Sequence, residues 1–153
     1  KVLDCLKEQI AVIEDAVHGQ VKLRRSYSRL TSVPGIGKIL ALTIMLETGE
    51  MERFASVGNY ASYCRYVGSQ KISNGKRKGS GNTKNGNKYL AWAFVEAANF
   101  AIRFSSRIKS FYQKKKSKSH AIVAIKAVAH KLCRACYYIM KDQVPFDITK
   151  AFA

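Results

Sequence analysis

The stretch "NKYLAWAFVEAANFAIRFSSRIKSF", Asn87 to Phe111, decides the fold. Leu90, Phe94, Ala97, Ala101, Phe104, Ile108 and Phe111 step by three and four, the spacing that lines one face of a helix. The alanines in that stripe let a neighbouring helix come close. A partner follows the polar turn "QKKKSKS": after Ser119, a residue type that caps helices, Ile122, Ile125, Ala129, Leu132, Cys136 and Ile139 repeat the period. The spacing predicts two helices, at residues 88–113 and 119–141, packed antiparallel. No segment alternates like a strand for long, so the fold class is all-α, with no solenoid repeat.

Upstream, "KVLDCLKEQIAVIEDAVHGQVKLRR" carries Leu3, Leu6, Ile10, Ile13 and Val17 at helical steps. This coiled-coil-like helix, residues 1–29, is either docked on its own domain or a dimerising stalk. Residues 30–153 form the second unit. It begins with "LTSVPGIGKILALTIMLE", in which Pro34, Gly35 and Gly37 make a tight turn between two helices. Glycine permits positive φ and close approach to a ligand, and the free amides of a helix start attract phosphate. Residues 30–49 thus resemble a helix-hairpin-helix motif that grips the DNA backbone without reading sequence, with Gly35, Ile36, Gly37 and Lys38 as contacts. The competing reading is a purely structural corner.

Charge names the partner class. Lysine and arginine total 27 against 10 acids, and between Arg53 and Lys141 the only acid is Glu96. Such a surface seeks polyanions, nucleic acid above all. The longest apolar run, Ile39 to Leu46, falls far short of the ~20 residues that span a bilayer, so no membrane partner is expected. Four scattered cysteines, Cys5, Cys64, Cys133 and Cys136, indicate a reducing interior. The expected location is the cytoplasm or nucleoid. Cys133 and Cys136 form CxxC near His130 inside a helical pattern, without a second ligand pair, so buried helix packing is preferred over zinc and no metal ligands are assigned. The chain starts at Lys1 with no secretory signal and reads as an excised fragment.

The densest basic segment is a glycine- and lysine-rich loop at residues 68–88, including "SQKISNGKRKGSGNTKNGNK", between "YASYCRYVG" and the long helix. Lys71, Lys76, Arg77, Lys78, Lys84 and Lys88 suit a segment that orders against phosphates. Its hydroxyls, Ser69, Ser73, Ser80 and Thr83, have no histidine or carboxylate beside them in the loop to take a proton, and spacing does not choose among them.

The order "VPGIG", "YASYCRYVG", "SNGKRKGSGNTKNGNKYL", an alanine-rich helix and "AHKLCRACYYIMKDQVPFD" resembles the carboxy-terminal transposase domain of the insertion-sequence family that includes the Piv (pilin-gene-inverting) recombinases. The resemblance runs from about Leu30 to Asp147. It implies a serine nucleophile in a Ser-Gly-Gly-Lys-like element; Ser73 of "SNGK" matches, with Asn74 where glycine is common, and "GNTKNGN" follows. Ser73 would then attack a DNA phosphate; from side-chain chemistry rather than from the resemblance, Lys76 and Arg77 would steady that phosphate, and Thr83, Lys84 and Asn87 would shape the loop or contact DNA. The family's amino-terminal RuvC-like domain, joined through a coiled coil, holds Mg²⁺ on four acids. The resemblance therefore implies no cofactor in this fragment, Mg²⁺ in the missing domain, and an isolated chain that binds nucleic acid without recombining it. It further implies homodimers or tetramers and, in parts of the family, a noncoding guide RNA beside DNA.

Two other functions stay in view. A non-catalytic helix-hairpin-helix module would use the same basic loop as a clamp. A base-excision glycosylase would need a catalytic carboxylate downstream, and Glu47, Glu50 and Glu52 lie too close to the hairpin.

Overall fold

The computed structural model describes residues 1–21, 25–68, 70–80 and 84–153. The fold is all-α: among the described residues it has eight α-helices, one 3₁₀ turn at Met51–Arg53 and a single two-stranded hairpin. In chain order these are α1 (Val2–Val21), α2 (Arg25–Leu30), α3 (Lys38–Thr48), α4 (Val57–Tyr63), β1 (Gln70–Ser73), β2 (Lys76–Ser80), α5 (Lys88–Phe104), α6 (Ser106–Lys116), α7 (Ala121–Lys141) and α8 (Ile148–Ala151).

The core is the contact between α5 and α7. Leu90, Phe94, Ala97 and Ala101 face Val128, Leu132, Cys133 and Cys136, all fully buried. Each large apolar side chain buried this way contributes about 1.5–3 kcal/mol. Phe94 also meets Tyr60 of α4 edge-on, with centroids 6.4 Å apart. The hydroxyl of Tyr60 pairs with Thr48 Oγ1 at 2.9 Å, so the one buried polar pair between α3 and α4 is satisfied. Burial pushes the Tyr60 hydroxyl and the Cys133 and Cys136 thiols upward, which keeps these groups neutral.

Two boundaries differ from the expected pair of long helices. The 88–113 segment is broken at Ser105, whose backbone is extended (φ −125°, ψ 115°) and whose hydroxyl accepts from Ile108 N at 3.4 Å to start α6. The hydrophobic period runs through the break, so spacing could not reveal it. A Ser-Ser pair competing for backbone bonds could. The other boundary lies one residue on from Ser119: His120 caps α7, its Nδ1 accepting from Ile122 N, while Ser119 Oγ donates to Lys115 O. Breaking the helix lets both α5 and α6 lie on α7. The C-terminal segment then closes the bundle: Gln143 bonds Ser26 and Arg29 of α2, and buried Phe152 meets Phe111 edge-on.

The apolar seam of α1 faces solvent, with Leu3 72 % and Ile13 62 % exposed. Among the described side chains of this helix, Val17 is partly buried against the core.

Candidate nucleic-acid interface

The basic loop is a β-hairpin. Its register pairs Ser73 with Lys76, Ile72 with Arg77, Lys71 with Gly79 and Gln70 with Ser80, with a bulge beside Lys78. The turn is Asn74-Gly75, both with positive φ (51° and 70°), the two-residue turn whose twist suits paired strands. That dipeptide was the available signal for a hairpin. It was masked because the flanking strands are short, charged and without alternating hydrophobes.

The pairing sorts the loop's side chains. Directly opposed residues of an antiparallel pair project from the same face, with Cβ atoms about 5 Å apart. Ser73 and Lys76 are such a pair, both exposed, at the tip. Ile72 and Arg77 hold the next rung, and Ile72 is 66 % exposed although apolar. Lys78 and Lys84 are exposed as well. Lys71 is placed by its backbone in β1. Ser69 and Thr83 lie outside the described residues.

The root of the hairpin is built around residues that the sequence reading treated as loop. Asn87 caps α5, its Oδ1 accepting from Tyr89 N and Leu90 N at 2.8 and 3.0 Å. Its Nδ2 donates to Glu47 Oε2 at 2.6 Å, and its backbone N–H to Tyr63 O at 2.7 Å. Gly86 sits at φ 94° with Tyr63 O only 2.4 Å from where a Cβ would be. Arg65, itself at φ 65°, donates two hydrogen bonds to Gly86 O. The "GN" of "KNGN" therefore anchors the loop, and Asn87's amide is committed to protein. Arg65, Gly86 and Glu47 were missed because their partners lie about 20 to 40 residues away, at separations of 21 and 40.

At the other candidate, the Pro34–Gly37 turn, the four proposed contacts divide. Gly35 (φ 86°) presses on α5: an added Cβ would meet Ala97 O at 2.2 Å and Ala101 N at 2.6 Å. Ile36 is a core residue, 3 % exposed. Gly37, the backbone N-cap of α3, and Lys38 face solvent, and no side chain caps that helix. The outward amides at the start of α3, with Lys38, are what this corner can offer a phosphate.

The tyrosines before the hairpin belong mostly to the core: Tyr60 is buried, and Tyr66 donates to Ala91 O at 2.8 Å while stacking on His130. Exposed aromatics occur instead on the outer side of α5, where Trp92, Phe100 and Phe104 border a cleft of about 1010 Å³ against the Pro34–Gly37 turn. Phe104, read from its spacing as a core position, is 78 % exposed and stacks on Phe100, because α5 ends there and its buried face ends at Ala101. Lys88 starts α5 with its ammonium 4.9 Å over the Tyr89 ring. Lys109, Lys114 and Lys116 on α6 add cations without an acidic partner among the described residues.

Two comparisons bear on this surface. The model of the family described as "Transposase IS116/IS110/IS902 family" matches residues 27–113, which include the Pro34–Gly37 turn, the hairpin and all of α5. The transposase for insertion sequence element IS1328 of Yersinia enterocolitica is 26 % identical over 146 residues, covering 93 % of this chain and 44 % of that protein. The chain thus spans less than half the length of this relative.

Proposed function

Because the chain belongs to the IS116/IS110/IS902 transposase family, we propose that it is the DNA-gripping, nucleophile-bearing part of a transposase or site-specific recombinase, with Ser73 as the nucleophile. The observation that carries this reading is the hairpin tip. It presents one hydroxyl clear of the body and sets Lys76 opposite it on the same face.

In the reaction, Ser73 Oγ attacks a DNA phosphorus. An Oγ–P bond forms as one P–O bond to a sugar breaks; the seryl proton goes to a base and the departing sugar oxygen takes up a proton. Lys76, opposite Ser73 in the register, is well suited to meet the charge that builds on the phosphoryl oxygens, and Arg77 with the remaining hairpin cations, Gly37 and Lys38 holds the flanking backbone. The donors around Ser73 are hydroxyl and ammonium groups, which do not fit Mg²⁺, a cation of carboxylate and water oxygens. Among the described residues, no group of three or more acids, histidines or cysteines is arranged to hold a metal ion. Carboxylates for a Mg²⁺ site would have to come from outside this chain.

In the same reading, residues 1–29 serve as a stalk whose exposed seam pairs with another copy in a dimer or tetramer, and residues 30–153 act as the DNA-binding body, with a guide RNA as a second polyanion. No helix is long and apolar enough to cross a membrane among the described residues.

The test uses the intact transposase, its element's own nicked end and Mg²⁺, with any DNA–peptide adduct mapped by mass spectrometry. An adduct on Ser73 that disappears in Ser73→Ala supports the assignment. Absence of any adduct, with full DNA binding by Ser73→Ala, would leave the hairpin as a non-catalytic clamp.

A further inference from the structure

After Asp142 the chain turns back along α7 and leaves a cleft of about 700 Å³ between that helix and α8. Lys131, Arg134 and Tyr138, at steps of three and four on α7, line one wall. Pro145, Phe146 and Lys150 line the other. The cleft is therefore cationic and aromatic at once, and its size is that of small-ligand sites.

Its three cations, Lys131, Arg134 and Lys150, outnumber the carboxylates of Asp142 and Asp147. Lys131 donates to Ala151 O at 2.9 Å, and burial, then the repulsion of Arg134 and Lys115, holds its ammonium below the usual range. Burial and Arg134 likewise hold the His130 imidazole down, where its ring stacks on Tyr66. Of the two acids in the lining, Asp147 is committed: its Oδ1 accepts from Thr149 N, Thr149 Oγ1 and Lys150 N. Asp142, at the end of α7, remains as one acceptor on the rim. A surplus of cations beside an aromatic wall fits a ligand that brings its own anion and a flat ring.

We propose that this cleft holds one unpaired nucleotide of a nucleic-acid strand, its phosphate on Arg134 and Lys150 and its base against Tyr138 and Pro145. Asp142 then faces the edge of the base, where it can accept from an exocyclic amine. A concavity of this size encloses a nucleotide and excludes a duplex. The inference rests on the reading that this domain grips nucleic acid, but at a place other than the hairpin. It assigns single-strand binding to the α7–α8 cleft and duplex binding to the hairpin.

The chain is titrated with single-stranded DNA and RNA hexamers of one sequence, with the same DNA hexamer made abasic at its centre, with inorganic phosphate, and with a DNA duplex. The His130 resonances are followed by NMR as a function of pH. With either hexamer the His130 pKa is expected to rise, because a phosphate beside Arg134 offsets the repulsion on the imidazole. Arg134→Gln and Tyr138→Ala, both at exposed positions, are each expected to weaken single-strand binding about tenfold and to leave duplex binding unchanged. The abasic hexamer is expected to lose affinity as Tyr138→Ala does. Tighter RNA than DNA assigns a contact to the 2′-hydroxyl; equal affinity places recognition on phosphate and base. An unshifted His130 at saturation, or the same shift from inorganic phosphate with the abasic hexamer bound as tightly as the intact one, overturns the site. Loss of duplex binding in Lys76→Gln/Lys78→Gln alongside either of those results would leave the hairpin's role standing and remove only this one.

Discussion

Two glycine-bearing turns in this domain look alike as strings and differ as structures. In the Pro34–Gly37 turn, Gly35 is needed because α5 is there: its missing Cβ is the space occupied by Ala97 O and Ala101 N. In the Asn74-Gly75 turn nothing lies within 4 Å of a Cβ built on Gly75, and the glycine is needed only for its φ of 70°. One turn is pressed inward and holds the bundle together. The other is held outward and free of it. A glycine in a basic neighbourhood thus says little about phosphate binding until its neighbours are known.

Substitutions can break that comparison, and the largest effect is expected at the inward turn. Gly35→Ala must displace the α5 backbone and should cost about 3 kcal/mol or more, read as a lower urea midpoint for the whole domain. A loss under about 1 kcal/mol would mean that the turn is not seated on α5. Next comes Asn87→Ala, which removes the cap of α5 and leaves Glu47 without its amide partner. It should cost about 1–2 kcal/mol and speed amide exchange at the hairpin root, whereas a hairpin unaffected by it would detach that root from α3. Gly75→Ala strains only the tip, at about 1 kcal/mol, so hairpin amides should exchange faster while the global unfolding midpoint barely moves. Smallest in energy, Lys76→Gln/Lys78→Gln should leave stability alone and reduce the slope of log affinity for duplex DNA against log salt by about 2. An unchanged slope would return the hairpin to the status of a solvated ornament.

The all-α class and the inward stripe of α5 were legible because Leu90, Phe94, Ala97 and Ala101 carry a period that needs no tertiary partner. The break at Ser105 was not, since Ile108 and Phe111 keep the period across it. Nor was the outward turn of Phe104, which depends on where α5 stops. At the site, charge and glycine content marked residues 68–88 as a polyanion grip, but Ser73 could be singled out only through family resemblance. Its place beside a two-residue turn, opposite Lys76, is a matter of register. Asn87 looked like a loop residue because the partner that explains it, Glu47, lies 40 residues earlier.

The knot at the hairpin root also sets how freely the tip can change. Arg65 and Gly86 are bonded across 21 residues, so the chain between them is closed at its base by bonds other than those of the strand pair. Closing a flexible loop grows costlier only with the logarithm of its length, about 0.6 kcal/mol for each doubling. Residues could be added to or taken from the tip at little expense to the bundle beneath it. The arm that carries Ser73 can therefore be remodelled in length and charge to suit a different duplex, while the helices that hold it need not change at all.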